Sequence, residues 1–450
     1  MSQQNIPTEL GTVRVSSLLR QYAFPAIIAM IASSLYNMVD SIFIGHGVGA
    51  LAITGFAITF PFMNLSAALG AMVGVGASTL VSVRLGQKDY LSAQNVLGNV
   101  VILNVIISIA FTVVAIIFLD PVLYFFGASD NTITYAREYM YIILLGNVVT
   151  HLYFGLNNVL RASGHPQKAM MLTITTVILN TVLDPIFIFG FKWGIQGAAV
   201  ATVLSQIMAL CWQLKLFNNK AELLHFRRSI FKWNMRIVRD MLSIGMAPFL
   251  MNAASCVIII LINNALKRYS GDLAIGAYGI INRVSFMFVM IVMGLNQGMQ
   301  PIAGYNYGAR LYVRVQEVLR LTIIFGTIIT TTAFLVGELI PDLVVRAFTS
   351  DEELISLSVY GMRITVMFYP LIGAQIVIAT FFQSIGLAGK AIFLSLIRQV
   401  IVLIPCLLIL PQFFDVTGVW ISLPASDIAA CIVSTVMIMQ QIRKFKSEIL

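Results

Sequence analysis

The chain has 450 residues, of which 59% are hydrophobic and only 10% charged, with a formal net charge of +9. An ordinary soluble domain carries about 25% charged residues, and single cores stop growing near about 250–300 residues, so this much apolar surface calls for an apolar solvent. That composition argues against a soluble enzyme, and the net charge is explained by membrane topology rather than by nucleic acid, which is not an expected partner.

In chain order, residues 1–14 are polar and read as a cytoplasmic N-terminus without the short apolar core of a cleavable signal. Apolar stretches long enough to span a bilayer follow near 15–44, 51–80, 94–119, 134–159, 167–190 and 194–217. A polar break at 218–239 separates them from six more, near 240–265, 274–302, 316–340, 356–382, 390–411 and 417–442, and 443–450 forms a tail. Irregular backbone and open sheet edges are excluded from lipid, so each run reads as helix. The fold class is therefore an all-α polytopic membrane protein with 12 transmembrane helices. They form an N-lobe over 15–217, a cytoplasmic linker over 218–239 and a C-lobe over 240–442.

Basic residues divide unevenly between the two sides of such a protein, 20 on the side of the termini against 4 opposite. The positive-inside rule then places both termini in the cytoplasm of a multi-pass protein of the plasma (inner) membrane. The halves also repeat at an offset of about 222 residues. LRASGHPQKA at 160–169 faces FQSIGLAGKA at 382–391, FGASD at 126–130 faces FTSDE at 348–352, and Pro25 matches Pro248. Since six is even, both copies enter from the same side. This parallel repeat of two pseudo-symmetric six-helix bundles with a cleft between them is a transporter plan.

A charge at midbilayer costs about 2.5–3.5 kcal/mol on insertion scales, so intramembrane acids are functional candidates by default. Asp40 lies deep in the first helix. Asp184 lies in the fifth, with Asn180 one turn earlier on the same face. Thr202 falls in the sixth helix and Asn157 ends the fourth. Their oxygens suit a hard cation such as Na⁺, and two carboxylates in low dielectric cannot both ionise freely, which suits proton carriage. Simple helix–helix hydrogen bonding is the less economical reading, because asparagine would serve at lower cost. At the repeat offset Asp184 becomes Cys406, Asn180 becomes Val402 and Asp40 becomes Asn263, so the C-terminal half has no copy of the cluster. Its Arg398 and Asp427 are placed to pair, and read as structural. Pro25 and Pro185 predict kinks beside the acids. The four cysteines read as packing residues, without metal-ligand spacing. No catalytic motif is present, so the chain is expected to be neither an enzyme nor a cofactor protein, and to draw on an ion gradient or a partner.

LYNMVDSIFIG at 35–45, NNVLRASG at 157–164 and LNTVLDPIFIFG at 179–190, spaced within this repeat, resemble the multidrug and toxic compound extrusion (MATE) family. The likeness covers essentially the whole chain. It implies a cation-coupled antiporter, driven by H⁺ or Na⁺, that exports organic and often cationic drugs by alternating access of two lobes in a V. Carried onto matching positions, it implies a cation site of Asp40, Asn180, Asp184 and Thr202, with Asn157 as contributor. Tyr36, Asn37, Arg283 and Met287 are the candidate substrate-cavity residues, and a monomer in the bilayer is expected. Another branch of the family places acids in helices seven and ten; here both lack them, which leaves coupling to the N-lobe. The alternative is a flippase for lipids or lipid-linked saccharides of related architecture, which would be expected to hold more basic residues in its cavity than Arg283 and Arg363.

Overall fold

A computed structural model describes residues 8–449, apart from the side chains of Asn37, Met38, Ala50, Asp272 and Ile449. The expected cavity residue Asn37 and the first seven residues of the expected N-terminal segment therefore lie outside the described residues.

The described residues are helical with no strand. Among the described residues ten helices are each long and apolar enough to cross a membrane, and two bent pairs, each counted as one span, raise the number to the expected twelve. We label them α1 (Val15–Gly47), α2 (Ala50–Gly86), α3 (Tyr90–Ile117), α4 (Ile133–Leu145 with Asn147–Ala162), α5 (Pro166–Pro185, continued by Ile186–Gly190) and α6 (Gly194–Phe217). The second series is α7 (Met235–Ser270), α8 (Asp272–Gly308), α9 (Tyr312–Leu339), α10 (Glu352–Val366 with Tyr369–Ser384), α11 (Ala388–Leu396, Ile397–Leu403 and Ile404–Ile409) and α12 (Pro411–Ile449).

The breaks in these helices have local causes. Pro185 has no N–H to give back to Thr181, and the helix widens into a π-turn over Ile186–Gly190. Phe191 N closes it on Ile186 O at 2.9 Å. In α11 the order is reversed, and a π-helical stretch, Ile397–Leu403, precedes Pro405. The two parts of α10 meet at 53°, where Pro370 starts the second part. The two parts of α4 meet at 55° around Gly146 with no proline. There Thr112 Oγ1 of α3 donates to Leu144 O at 3.1 Å and accepts from Asn147 Nδ2 at 3.3 Å. Ser66 of α2 donates to Asn147 Oδ1 at 2.7 Å and lies 3.2 Å from His151 Nε2. Side chains from two neighbouring helices satisfy the bend, the condition for irregular backbone inside lipid.

By contacts the chain divides into two units. One, here unit 1, is Ile28–Phe249 with a short piece up to Thr12; the other, unit 2, is Leu250–Leu450 with Val13–Ile27. Two of the three boundaries, at 27/28 and 249/250, fall inside helices, close to Pro25 in α1 and Pro248 in α7. In unit 1, α2 crosses α7 so closely that a Cβ on Gly76 would lie 2.0 Å from Met241 O, and one on Gly245 1.8 Å from Met72 O. In unit 2, α8 crosses the start of α1 through Gly298, whose Cβ would meet Ala23 Cα at 2.4 Å, and Gly294, whose Cβ would meet Ile27 Cα at 2.6 Å. At the repeat offset Gly76 corresponds to Gly298 and Gly245 to Ala23, so one backbone-to-backbone crossing is built twice from small residues.

Candidate cation site

Unit 1 gathers its buried oxygens where α1, α4, α5 and α6 meet. Helical spacing places Tyr36 and Asp40 on one face of α1, and Asn180 and Asp184 on one face of α5. Asp40, Asn180, Asp184 and Thr202 are all buried. Asn180 is the bridge. With its amide turned to satisfy its neighbours, Nδ2 donates to Asp40 Oδ1 at 2.9 Å and Asp184 Oδ2 at 3.2 Å, and Oδ1 accepts from Thr202 Oγ1 at 3.3 Å. Tyr36 Oη is 3.1 Å from Thr202 Oγ1 and also reaches Asp40, while the two carboxyl groups lie within hydrogen-bonding reach of one another. Neither acid meets a Lys or Arg side chain among the described residues. No group of three or more His, Cys, Asp and Glu side chains suited to a metal converges there or elsewhere among those residues. The cluster is thus two carboxyls surrounded by neutral donors and acceptors. Such a pair cannot carry two charges in a dry site without a compensating proton or cation.

One member of the site has no counterpart in the sequence-based expectation. Tyr139 of α4 is fully buried, and its ring packs edge-on to Phe56 with centroids 5.2 Å apart. Its hydroxyl lies beside Asp40, Asp184 and Thr202 and makes no hydrogen bond of good geometry. A buried orphan hydroxyl costs free energy, so this oxygen is available to a guest.

Asn157 stands apart. Its Nδ2 donates to Ala169 O at 3.1 Å and its Oδ1 accepts from Arg161 at 3.2 Å, so its amide ties α4 to α5. Tyr36 belongs to the acid cluster, whereas Arg283 and Met287 are exposed on α8 in unit 2. In unit 2 Arg398 Nε donates to Asp427 Oδ1 at 2.6 Å, the pairing expected from the sequence.

A family model described as MatE matches residues 25–186 and again 245–408, one match in each half. The chain belongs to the MatE family. It is accordingly a multi-pass membrane transporter and not an enzyme. Its relatives include the multidrug export protein MepA of Staphylococcus haemolyticus, 28% identical over 413 residues, covering 92% of this chain and 91% of that protein. MepA of Staphylococcus aureus strain MRSA252 is also 28% identical, over 417 residues and 92% of both chains. Among solved structures, the MATE multidrug transporter DinF-BH is 35% identical, with a TM-score of 0.90 and 97% and 98% of the two chains covered. An outward-facing multidrug resistance MATE transporter of the MOP superfamily shares the fold at 23% identity, with a TM-score of 0.92 over 98% and 99% of the chains. The MatE family model matches once in each half, in keeping with the sequence repeat.

Proposed function

We propose that this MatE protein is an antiporter that exports organic, often cationic, compounds in exchange for H⁺ or Na⁺, with the Asp40–Asp184 cluster as the coupling site. The observation that carries this reading is the buried carboxyl pair bridged by neutral Asn180, with no fixed cation to neutralise it. A group of this kind holds a coupling ion because its empty state is costly. Loaded with a proton or Na⁺, the cluster is close to neutral and favours release of a cationic substrate; unloaded, its negative charge favours substrate binding. Exchange of the two, by alternating access, links export to the ion gradient. A tenfold gradient of one ion per cycle supplies about 1.4 kcal/mol, enough for a tenfold substrate gradient at one-to-one exchange. The relatives, multidrug export proteins and a multidrug transporter, support an organic substrate.

The test is ethidium transport in proteoliposomes under separately imposed Na⁺ and pH gradients, for the native chain and for Asp40→Asn and Asp184→Asn. Gradient-driven transport should fall at least tenfold in both variants. Undiminished transport would sink the coupling role. Lipid movement between leaflets without ethidium transport would replace the antiporter with the flippase reading.

A further inference from the structure

The chain between α6 and α7 is built against unit 1. Gln94 Nε2 of α3 donates to Leu223 O at 3.4 Å and His225 O at 3.3 Å, and Asn99 Nδ2 donates to Lys232 O at 3.1 Å. Asn99 Oδ1 in turn accepts from Asn234 N at 3.0 Å. Gly98 approaches this segment so closely that a Cβ would lie 2.0 Å from Ile230 O. Between this segment and the first turns of α3 remains a cavity of about 340 Å³, lined among others by Gln94, Asn95, Arg227, Ser229, Lys232 and Trp233. That volume is within the range of small-ligand sites, about 300–1,000 Å³.

Its charge is one-sided. Arg227 and Lys232 line the cavity and Arg228 adjoins it, and none of the three meets a carboxylate among the described residues. Arg227 Nε donates to His225 Nε2 at 2.7 Å. The one acid in this stretch, Glu222, is already engaged by His165 at 3.1 Å and Lys168 at 3.3 Å. The rim is apolar and exposed: Leu91 is 72% exposed and Trp233 47%, and Met235, 67% exposed, follows the lining residue Asn234 at the start of α7. α3 begins at Tyr90 and α7 at Met235, so the cavity sits where two membrane spans start. Cations facing a cavity beside exposed Leu, Met and Trp at that level match a ligand with an anionic head and an apolar tail.

We propose that this cavity binds the headgroup of an anionic phospholipid, its phosphate held by Arg227 and Lys232 and its glycerol–acyl boundary against Trp233. Charge-assisted hydrogen bonds from the guanidinium and ammonium groups meet the phosphate oxygens, and Ser229 and Asn95 offer neutral donors. The acyl chains cover Leu91 and Met235. Free inorganic phosphate shares the headgroup chemistry but leaves that rim in water, which is why the lipid is the occupant.

The full chain is reconstituted with phosphatidylglycerol or phosphatidylcholine brominated in its acyl chains, and quenching of Trp233 fluorescence is read by difference from Trp233→Phe. Each basic side chain near an anionic surface is worth about a fivefold gain in partitioning. Phosphatidylglycerol should therefore quench at roughly twenty-five-fold lower mole fraction than phosphatidylcholine. Arg227→Gln/Lys232→Gln, at two exposed positions, should erase that preference while leaving folding intact. Inorganic phosphate at millimolar concentration should not displace the lipid. Equal quenching by both lipids, a preference that survives the double variant, or displacement by phosphate would each overturn the proposal.

Discussion

Replacing Arg398 by leucine tests how unit 2 carries its own charge. Arg398 Nε donates to Asp427 Oδ1 at 2.6 Å, with Asp427 2% exposed and the arginine side chain 27%. Removing one partner of a buried ion pair costs about 3–5 kcal/mol, because the other charge is stranded. The cost has a ceiling: at pH 7 an ordinary carboxyl can take up a proton for about 4 kcal/mol. Arg398→Leu should therefore lose about 3–4 kcal/mol. Asp427→Leu strands the guanidinium within the span in turn, and should lose stability as well. Arg398→Leu/Asp427→Leu removes both charges, and apolar replacement of a buried pair is often neutral, so the double variant should be more stable than Arg398→Leu alone. The assay is an unfolding titration in mixed micelles followed by helical circular dichroism. A loss under about 1 kcal/mol for Arg398→Leu, or a double variant as unstable as that single one, would contradict a buried pair of this kind. Ethidium transport should survive in the double variant, since a structural pair lies outside the substrate path.

Tyr139→Phe removes a buried hydroxyl that makes no hydrogen bond of good geometry, so stability in the same titration should hold or rise by about 1 kcal/mol. Its gradient-driven transport should fall severalfold, and unchanged transport would exclude this oxygen from the coupling site. Gly245→Ala drives a Cβ to 1.8 Å from the Met72 carbonyl and should cost on the order of 3 kcal/mol or more. Gly279→Ala meets nothing within 4 Å and should stabilise α8 by up to about 1 kcal/mol; similar effects at both sites would discredit the crossing. Burial beside Leu223 and Leu224 pushes His165 below its ordinary value, and neighbouring Glu222 only partly offsets this. A state with the linker detached then binds more protons below about pH 6.5, so the linker contact is complete above that pH and weakens as pH falls. Hydrogen exchange over 218–227, corrected for intrinsic rates, should accelerate between pH 7.5 and 5.5, and constant protection would count against this.

The spans were legible because lipid imposes one rule on every residue of an apolar run. The acids were legible for the same reason, since Asp40 and Asp184 interrupt runs that admit no unpaired charge. The helix breaks were only partly so. Pro185 signals a disturbance, but that it becomes a π-turn depends on where Phe191 finds its acceptor. The bend of α4 has no proline to signal it, because Gly146, Asn147 and His151 are completed by Ser66 and Thr112 from α2 and α3. Tyr139 escapes notice because a tyrosine in an apolar helix reads as packing until its hydroxyl is seen to face two carboxyls. Asn157 carries the expected motif, and its amide bonds Ala169 O and Arg161, contacts that the motif alone does not specify.

The two halves share a scaffold and differ in how they treat buried charge. Asp427 in unit 2 has Arg398 at 2.6 Å, a cation fixed to the chain, so nothing from outside is needed to settle its charge. Asp40 and Asp184 in unit 1 have Asn180, Thr202, Tyr36 and Tyr139 about them, all neutral. Neutral donors lower the cost of a carboxylate but cannot cancel two charges in a water-poor site. A fixed cation makes a charge permanent and structural, whereas its absence makes the charge exchangeable. Under the proposed coupling, the departure from repeat symmetry at Cys406, Val402 and Asn263 is thus what lets one half hold a mobile ion while the other remains inert to the gradient.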